Sequence, residues 1–585
     1  MPAPSVEVRH RPFLSQYGLV LGLGTVLVAA ALLWVAVAVD AAVHGRARPG
    51  NPLIVPFQLA SGQRPWTTTT TAALAGELVL LAAAAVAVVR GWTRRRRRRS
   101  RVDSATRHLG RDKDLGELTP AAARAKAVRL RGDAAVTRDP ASHGMFLGYA
   151  VATGTPLRAS WEDTAVQIWG ARRGKTTSQA IPLVLDAPGP VIATSNRNDL
   201  LNTTWRQRQR TGQVWVLDPQ AVAGTTRPQF YFNPLAYVSS ITDAESIVAI
   251  IRAAATDADA RRDAYFDTAA DRLLTVLCLA AARNGQALPT VYRWLMDSTD
   301  PEPARILDGH GDTAAEQALR EVMATPDKQR AGVYGTAQAL VGFLADPARA
   351  AWVSPGAGLR PFDPAAFLDS RDTLYLLSQE GPGSAAAIVG AITQAVIDAA
   401  LRASGTSVTG RLEPPLLACL DEAANVCRLP QLPALYSHLG GRGVVVHTFL
   451  QSYEQGVKVW GKPGMESLWS AATVRVYGGG VSDATWLEGL SKLVGQHEVL
   501  SYSRTVSSGG GGGQRASSSW AESRHREEIL AVSHLANLPP WRALVLAAGA
   551  LPTLIEPVPW MRRPDAAEIA DSRRRPWPGD REMSA

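Results

Sequence analysis

Two long uncharged stretches close to the amino terminus limit this chain more than any other feature, because a backbone in hydrocarbon must satisfy its own polar groups and so must be helical or a closed barrel. Tyr17 to Val39 is a run of 23 residues without a charge. At about 1.5 Å per residue it reaches across a hydrocarbon core of roughly 30 Å, so it predicts one spanning helix. A secretory signal peptide is the rival reading, but the run is too long and lacks a small-residue cleavage site followed by a secreted-type domain. Thr71 to Val89 predicts a second spanning helix, broken only by Glu77. That carboxylate lies about 9 Å from one end and can stay near the interface, where it is tolerated rather than functional.

Arg90, Arg94 to Arg99 and Arg101 follow at once. Flanks this rich in arginine stay on the cytoplasmic side, which predicts both termini inside and the Asp40–Trp66 loop outside and mostly irregular. The same run can meet anionic lipid headgroups. These eight charges account for most of the formal net charge of +10, leaving about +2 for everything else, so the basic pI does not mark a basic domain. Cys278, Cys419 and Cys427 have no zinc or redox spacing, the ten histidines show no ligand spacing, and a reducing compartment without a structural transition metal is expected.

With 585 residues, 46% hydrophobic and 19% charged, the chain has room for a large buried core beyond the 1–101 anchor. Residues 102–140 read as a charged linker. Strand-length apolar runs then recur, each ending in a polar or glycine-rich turn: Ala165–Trp169, Val191–Thr194, Val214–Leu217, Thr373–Leu377, Leu416–Leu420, Val444–Thr448 and Thr473–Tyr477. Nearly continuous apolar strands alternating with helices predict an α/β domain with a mainly parallel sheet covered on both faces, over residues 141–238 and 356–562. From 239 to 355 the apolar spacing becomes helical, as in Ile247, Ile250, Ile251 and Leu273, Leu274, Leu277, which predicts an all-α insertion. The Gly/Ser-rich 507–519 segment reads as a mobile loop and 563–585 as a fraying tail.

The strand ending at Trp169 runs into Gly170, Ala171, Arg172, Arg173, Gly174, Lys175, Thr176 and Thr177, followed by a helix-compatible stretch. This is the layout of a phosphate loop. Gly174 lets backbone N–H groups approach phosphate oxygens, Lys175 reaches the β- and γ-phosphates, Thr176 can ligate Mg²⁺, and the helix N-terminus adds positive partial charge. The pattern is shifted, since Trp169 stands where the first glycine is usual. Arg172 and Arg173 read as solvated rather than catalytic.

Leu416–Leu420 delivers Asp421 and Glu422 at a strand's carboxyl end, where ligands of parallel sheets bind. Asp421 would hold Mg²⁺ and Glu422 would polarise the attacking water. The bland reading of such a pair is a helix cap; the lysine loop on a similar strand turns the balance toward bound ATP with Mg²⁺. Gln451 follows the strand that begins at Val444 and can contact the γ-phosphate or its water. Arg442 precedes that strand, at the opposite sheet end, and in a ring can enter a neighbour's site as an arginine finger.

Over roughly residues 140–560 the chain resembles the TraG/TraD/VirD4 coupling proteins of conjugation and type IV secretion. The resemblance rests on Leu420-Asp-Glu-Ala-Ala-Asn425-Val, Leu429-Pro430, Gly440-Gly-Arg442-Gly443 and Leu450-Gln451-Ser452, with support from Phe232-Asn-Pro-Leu235, Tyr265-Phe266-Asp267, Thr373-Leu-Tyr-Leu376 and Ser491-Lys-Leu-Val-Gly495. It implies a RecA-like P-loop ATPase in the bacterial inner membrane, with an inserted all-α domain and a homo-oligomeric, hexameric assembly, bringing a relaxase–DNA complex or DNA to the channel components. Ser195-Asn-Arg-Asn-Asp199 departs from the family's run after the second strand. Two rival functions remain: a docking receptor that uses nucleotide only as a switch, and a DNA pump of the FtsK/SpoIIIE type.

Overall fold

The structure is a computed structural model describing residues 18–98, 100–257, 263–381, 384–507 and 517–579, in two compact units, 1–100 and 101–585. In the first unit, helices Gly18–Val43 and Thr68–Arg98 pack together, with a short helix, Val55–Ala60, between them. The first helix thus extends past the expected Val39. The second begins before Thr71 and continues through the arginines, because arginine is a strong helix former. The short helix lies within an outer loop expected to be mostly irregular. Buried Asp40 joins the helix ends, accepting a hydrogen bond from Thr67 Oγ1 at 2.5 Å and one from Arg46 Nη1 at 3.3 Å.

The second unit is built on fifteen strands: β1 (Met145–Ala150), β2 (Pro156–Ala159), β3 (Ala165–Ile168), β4 (Val191–Ser195), β5 (Val214–Leu217), β6 (Phe230–Tyr231), β7 (Arg360–Pro361), β8 (Thr373–Leu377), β9 (Leu416–Leu420), β10 (Val444–Leu450), β11 (Val474–Tyr477), β12 (Gln496–Ser507), β13 (Ser517–Glu528), β14 (Ala543–Ala547) and β15 (Thr553–Glu556). Eleven form one sheet in the order β2-β1-β15-β14-β11-β3-β10-β9-β4-β8-β5. From β11 to β5 every pairing is parallel, and these seven strands are the seven apolar runs read from the sequence. The other four extend the sheet antiparallel beyond β11.

Alternate residues of the parallel strands enter different cores, as period-2 geometry requires. Val166, Ile192, Leu376, Ala418 and Val446 point to one face; Ala165, Ala193, Tyr375, Cys419 and Val445 point to the other. The first face is continuous with the helical insertion through Leu273, Leu277 and Trp294. Helices Ile241–Ala255, Phe266–Arg283 and Asp327–Leu340 dominate that insertion, and among the described residues from 239 to 355 there is no strand. The small parallel pair β6 and β7 joins its two ends, so the chain leaves the sheet domain and returns beside its point of departure.

Two expectations are corrected, and a third is met by the structure only at its ends. Residues 102–140 are no free linker: Val102, Leu109, Leu115, Leu118 and Ala123 are buried, the helix is Pro120–Arg131, and the rest uses short 3₁₀ turns without long-range periodicity. The tail forms helix Ala566–Arg574 against helix Asp199–Gln209, with Trp577 edge-on to Trp205. At the Gly/Ser segment, Ser507 and Ser517–Ser519 belong to the long β12–β13 ribbon, and the part of the expected loop from 508 to 516 lies outside the described residues. Cross-strand pairing orders these flanking residues.

Candidate nucleotide-binding site

β10 lies between β3 and β9, with Leu450 opposite Ile168 and Thr448 opposite Leu420. The carboxyl ends of three neighbouring parallel strands therefore deliver the lysine loop, Gln451 and the acid pair to one sheet edge. Trp169 is buried and fixes where the loop begins. Its backbone N–H bonds Leu450 O at 2.9 Å, its indole N–H reaches Gln167 Oε1 at 3.1 Å, and its ring occupies the space a side chain at Gly478 would need. The shift of the phosphate loop by one residue thus follows from a tryptophan used as core. Gly174 has φ +86°, a left-handed conformation that a glycine adopts without penalty.

After the loop, Thr176–Ala180 makes a π-helical turn that continues as helix Ile181–Asp186. Lys175 is buried, with Nζ 2.8 Å from Asp421 Oδ1 and 2.5 Å from Glu422 Oε1. Burial by itself lowers the pKa of this ammonium, but the two carboxylates outweigh it, so the pKa ends above its ordinary value and the lysine is charged at neutral pH. Thr176 Oγ1 donates to Asp421 Oδ2 at 3.1 Å, which places a hydroxyl and a carboxylate oxygen together. Gln451 Nε2 donates to Glu422 Oε2 at 3.0 Å. Five predicted residues, Lys175, Thr176, Asp421, Glu422 and Gln451, therefore form one connected cluster.

Glu422 is held in a left-handed conformation, φ +57°, which costs a non-glycine residue about 1–3 kcal/mol. It precedes the one-turn helix Ala423–Val426 yet its side chain makes no capping bond; the carboxylate faces Lys175 instead. That geometry speaks against the helix-cap reading of the acid pair. Thr194 Oγ1 at the end of β4 donates to Asp421 O at 2.8 Å and steadies the turn.

The remaining predicted residues lie apart. Arg442 is exposed in the 3₁₀ turn Gly440–Arg442 at the amino end of β10. Seven strand residues separate it from Gln451, about 23 Å at 3.3 Å per residue. Ala171 and Arg172 are exposed, Gly170 N bonds Gly479 O at 2.9 Å, and the Thr177 hydroxyl bonds Gly174 O at 3.0 Å. Arg173, expected to be solvated, is half-buried: its guanidinium donates to Leu538 O and lies along Gly479 and Gly480.

Sequence reasoning missed several neighbours. Asn425 Nδ2 reaches Glu380 Oε1 at 2.5 Å and lies 3.5 Å from Glu422 Oε2. Glu380 follows the carboxyl end of β8, the only signal it carried. Trp541 packs its ring against Gly174 from a turn with φ +62°, and nothing in the linear sequence connects those two positions.

The cluster fits a triphosphate and Mg²⁺: a charged lysine, open loop backbone, paired hydroxyl and carboxylate oxygens, and a second acid beside a glutamine. Residues 415–540 match the family model described as the TraM recognition site of TraD and TraG. Among solved structures, the unbound monoclinic form of the bacterial conjugative coupling protein TrwBdeltaN70 is similar with a TM-score of 0.51 at 17% identity, over 71% of this chain and 88% of that one. The plasmid coupling protein TrwB in complex with ADP and Mg²⁺ is similar with a TM-score of 0.50 at 15% identity, over 69% and 88%. No curated protein matches the chain. The structural likeness shows a TrwB-like P-loop NTPase fold, with a large, mostly parallel sheet and a helical domain. Together with the family match it bears out the TraG/TraD/VirD4-like resemblance read from the sequence.

Proposed function

We propose that this chain is a membrane-anchored ATPase that recruits DNA or a relaxase–DNA complex and drives it through a conjugative type IV secretion channel. The observation carrying the catalytic part is Lys175 ion-paired to Asp421 and Glu422, with Gln451 on the far side of Glu422. When ATP binds, Lys175 exchanges carboxylate partners for the β- and γ-phosphates, and the loop of residues 170–177 lines the phosphate path with the backbone N–H groups that follow Gly170, whose own N–H is held by Gly479 O. Thr176 and Asp421 would hold Mg²⁺, which supplies neutralisation of phosphate charge. Glu422, freed from the lysine, accepts a proton from the attacking water, and Gln451 orients that water. Arg442 cannot reach the site of its own subunit, and its exposure suits a finger inserted into a neighbour's site in a homo-oligomeric ring, a hexamer by family resemblance.

Anchoring is supported by Thr68–Val86 of the helix Thr68–Arg98, long and apolar enough to span, where the consecutive Leu78, Val79, Leu80 and Leu81 are exposed around the helix. Leu27–Val43 is a shorter apolar stretch of the helix Gly18–Val43, and Ala386–Thr406, also long and apolar enough, is a core helix of the sheet domain. Two spans with both termini cytoplasmic in the inner membrane is the topology we assign. The match to a TraM recognition site supports a docking role for residues 415–540, where a partner protein would meet the motor.

The full chain in detergent should hydrolyse ATP with Mg²⁺, and single- or double-stranded DNA should raise the rate. Absence of stimulation by either form argues against a DNA motor. Lys175→Ala separates motor from receptor: a receptor keeps substrate transport in cells, whereas a motor loses it.

A further inference from the structure

The short turn after the acid pair is wired to the helical insertion through one side chain. Arg428 Nε donates to Ala424 O at 2.7 Å, inside the turn that begins at Glu422. Its Nη1 bonds Asp257 Oδ1 at 2.8 Å and lies within hydrogen-bond distance of Ala253 O at 3.3 Å and Thr256 O at 3.4 Å. Ala253 and Thr256 end the helix Ile241–Ala255, the first of the insertion. The last carbonyls of a helix lack intrahelical partners and carry negative partial charge, so a guanidinium there is both a hydrogen-bonding cap and an electrostatic one.

The other end of this linkage is the catalytic cluster. Asn425, three residues before Arg428, is within 3.5 Å of Glu422 Oε2, and Glu422 in turn touches Lys175 and Gln451. The strained Glu422 backbone gives the turn a conformation that depends on these contacts. A forked guanidinium held by four acceptors on two elements transmits displacement better than a single point contact.

We infer that Arg428 is a positioning residue that couples the nucleotide state of the acid turn to the helix Ile241–Ala255, and through it to the insertion. This rests on the nucleotide reading proposed above. Exchange of phosphate for carboxylate around Lys175 alters what holds Glu422, the Ala423–Val426 turn shifts, and Arg428 carries the shift to the helix end. The helix packs against Phe266–Arg283 and Ala386–Thr406, so a change at its end reaches both the insertion and the sheet domain.

Hydrogen exchange on the full chain in detergent tests this, comparing ADP with a non-hydrolysable ATP analogue, each with Mg²⁺. In the wild type, residues 170–177 gain protection with either nucleotide, and residues 241–257 differ between the two states. In Arg428→Ala the protection of 170–177 is retained, and the difference over 241–257 falls at least about fivefold. Arg428→Lys, which keeps the charge without the fork, gives an intermediate difference and serves if the alanine variant fails to fold. A difference of wild-type size in the folded variants overturns the coupling, even if the helix is uniformly less protected, since that is the signature of a mere cap. Wild-type protection of 170–177 without any difference over 241–257 overturns the coupling and leaves the nucleotide site standing. No protection of 170–177 refutes the nucleotide reading, and the coupling with it.

Discussion

Replacing Glu422 with glutamine keeps the side chain's shape and removes one charge from a buried cluster, and its two consequences have opposite signs. Glu422 lies 2.5 Å from Lys175 Nζ and 3.0 Å from Gln451 Nε2. Lys175 keeps Asp421 at 2.8 Å, and the amide oxygen of the Glu422→Gln variant can still accept a bond from either neighbour, so the site stays assembled. A general base contributes about 10²–10⁴ in rate, or about 2.7–5.4 kcal/mol of barrier at 1.36 kcal/mol per decade, and hydrolysis should fall by that factor. Binding should move the other way. A carboxylate about 5 Å from a phosphate charge repels it by at most about 3 kcal/mol at an effective dielectric near 20, and it also competes for Lys175. Losing both effects should tighten ATP binding roughly tenfold, about 1.4 kcal/mol. Single-turnover hydrolysis with Mg²⁺ and titration with a fluorescent ATP analogue read the two effects separately. Hydrolysis within about threefold of wild type would refute Glu422 as base. Parallel loss of binding and hydrolysis would show that the acid holds the site together.

Thr176→Ala should leave Mg²⁺-free nucleotide binding nearly unchanged while raising the Mg²⁺ concentration needed for half-maximal hydrolysis; an unchanged Mg²⁺ titration contradicts the assigned ligand. Arg442→Ala should cut hydrolysis by roughly 10³-fold without weakening ATP binding, and mixing it with Glu422→Gln subunits should restore some activity where neighbours complement one another. His447, buried on β10 with its pKa pushed down to about 3 by desolvation, should make the fold sensitive to acid. Its folded pKa lies below the unfolded value near 6.5, so the unfolded chain gains protons first and stability drains as pH falls from 6.5 toward 3. From pH 8 to pH 5 this amounts to about 2 kcal/mol. Denaturant unfolding of His447→Gln should lack that increment, and parallel pH curves for the two proteins would rule it out.

The seven parallel strands were legible because a strand buried on both faces must be apolar throughout, and that leaves a run visible in one dimension. The lysine loop and the acid pair were legible for a related reason: each follows such a strand directly, so local sequence specifies both the group and its sheet end. The antiparallel strands β1, β2 and β15 escaped notice because short mixed segments such as Pro156–Ala159 become strands only when a neighbour supplies hydrogen bonds, whereas β14, Ala543–Ala547, is as apolar as the seven and carried a signal that went unread. The 102–140 segment looked like a linker because its buried residues are spaced by turns rather than by a regular period.

By itself, then, the sequence determined which residues carry charge, hydroxyl and glycine at strand ends, and which stretches water would reject. Tertiary structure alone decided that β10 lies between β3 and β9, bringing Gln451 to Glu422. It also brought Trp541 to Gly174, and Arg428 to the end of a helix in the insertion. The physical reason is that strand order and side-chain contact are set by packing among segments hundreds of residues apart, whereas composition and period report only what each segment can bury.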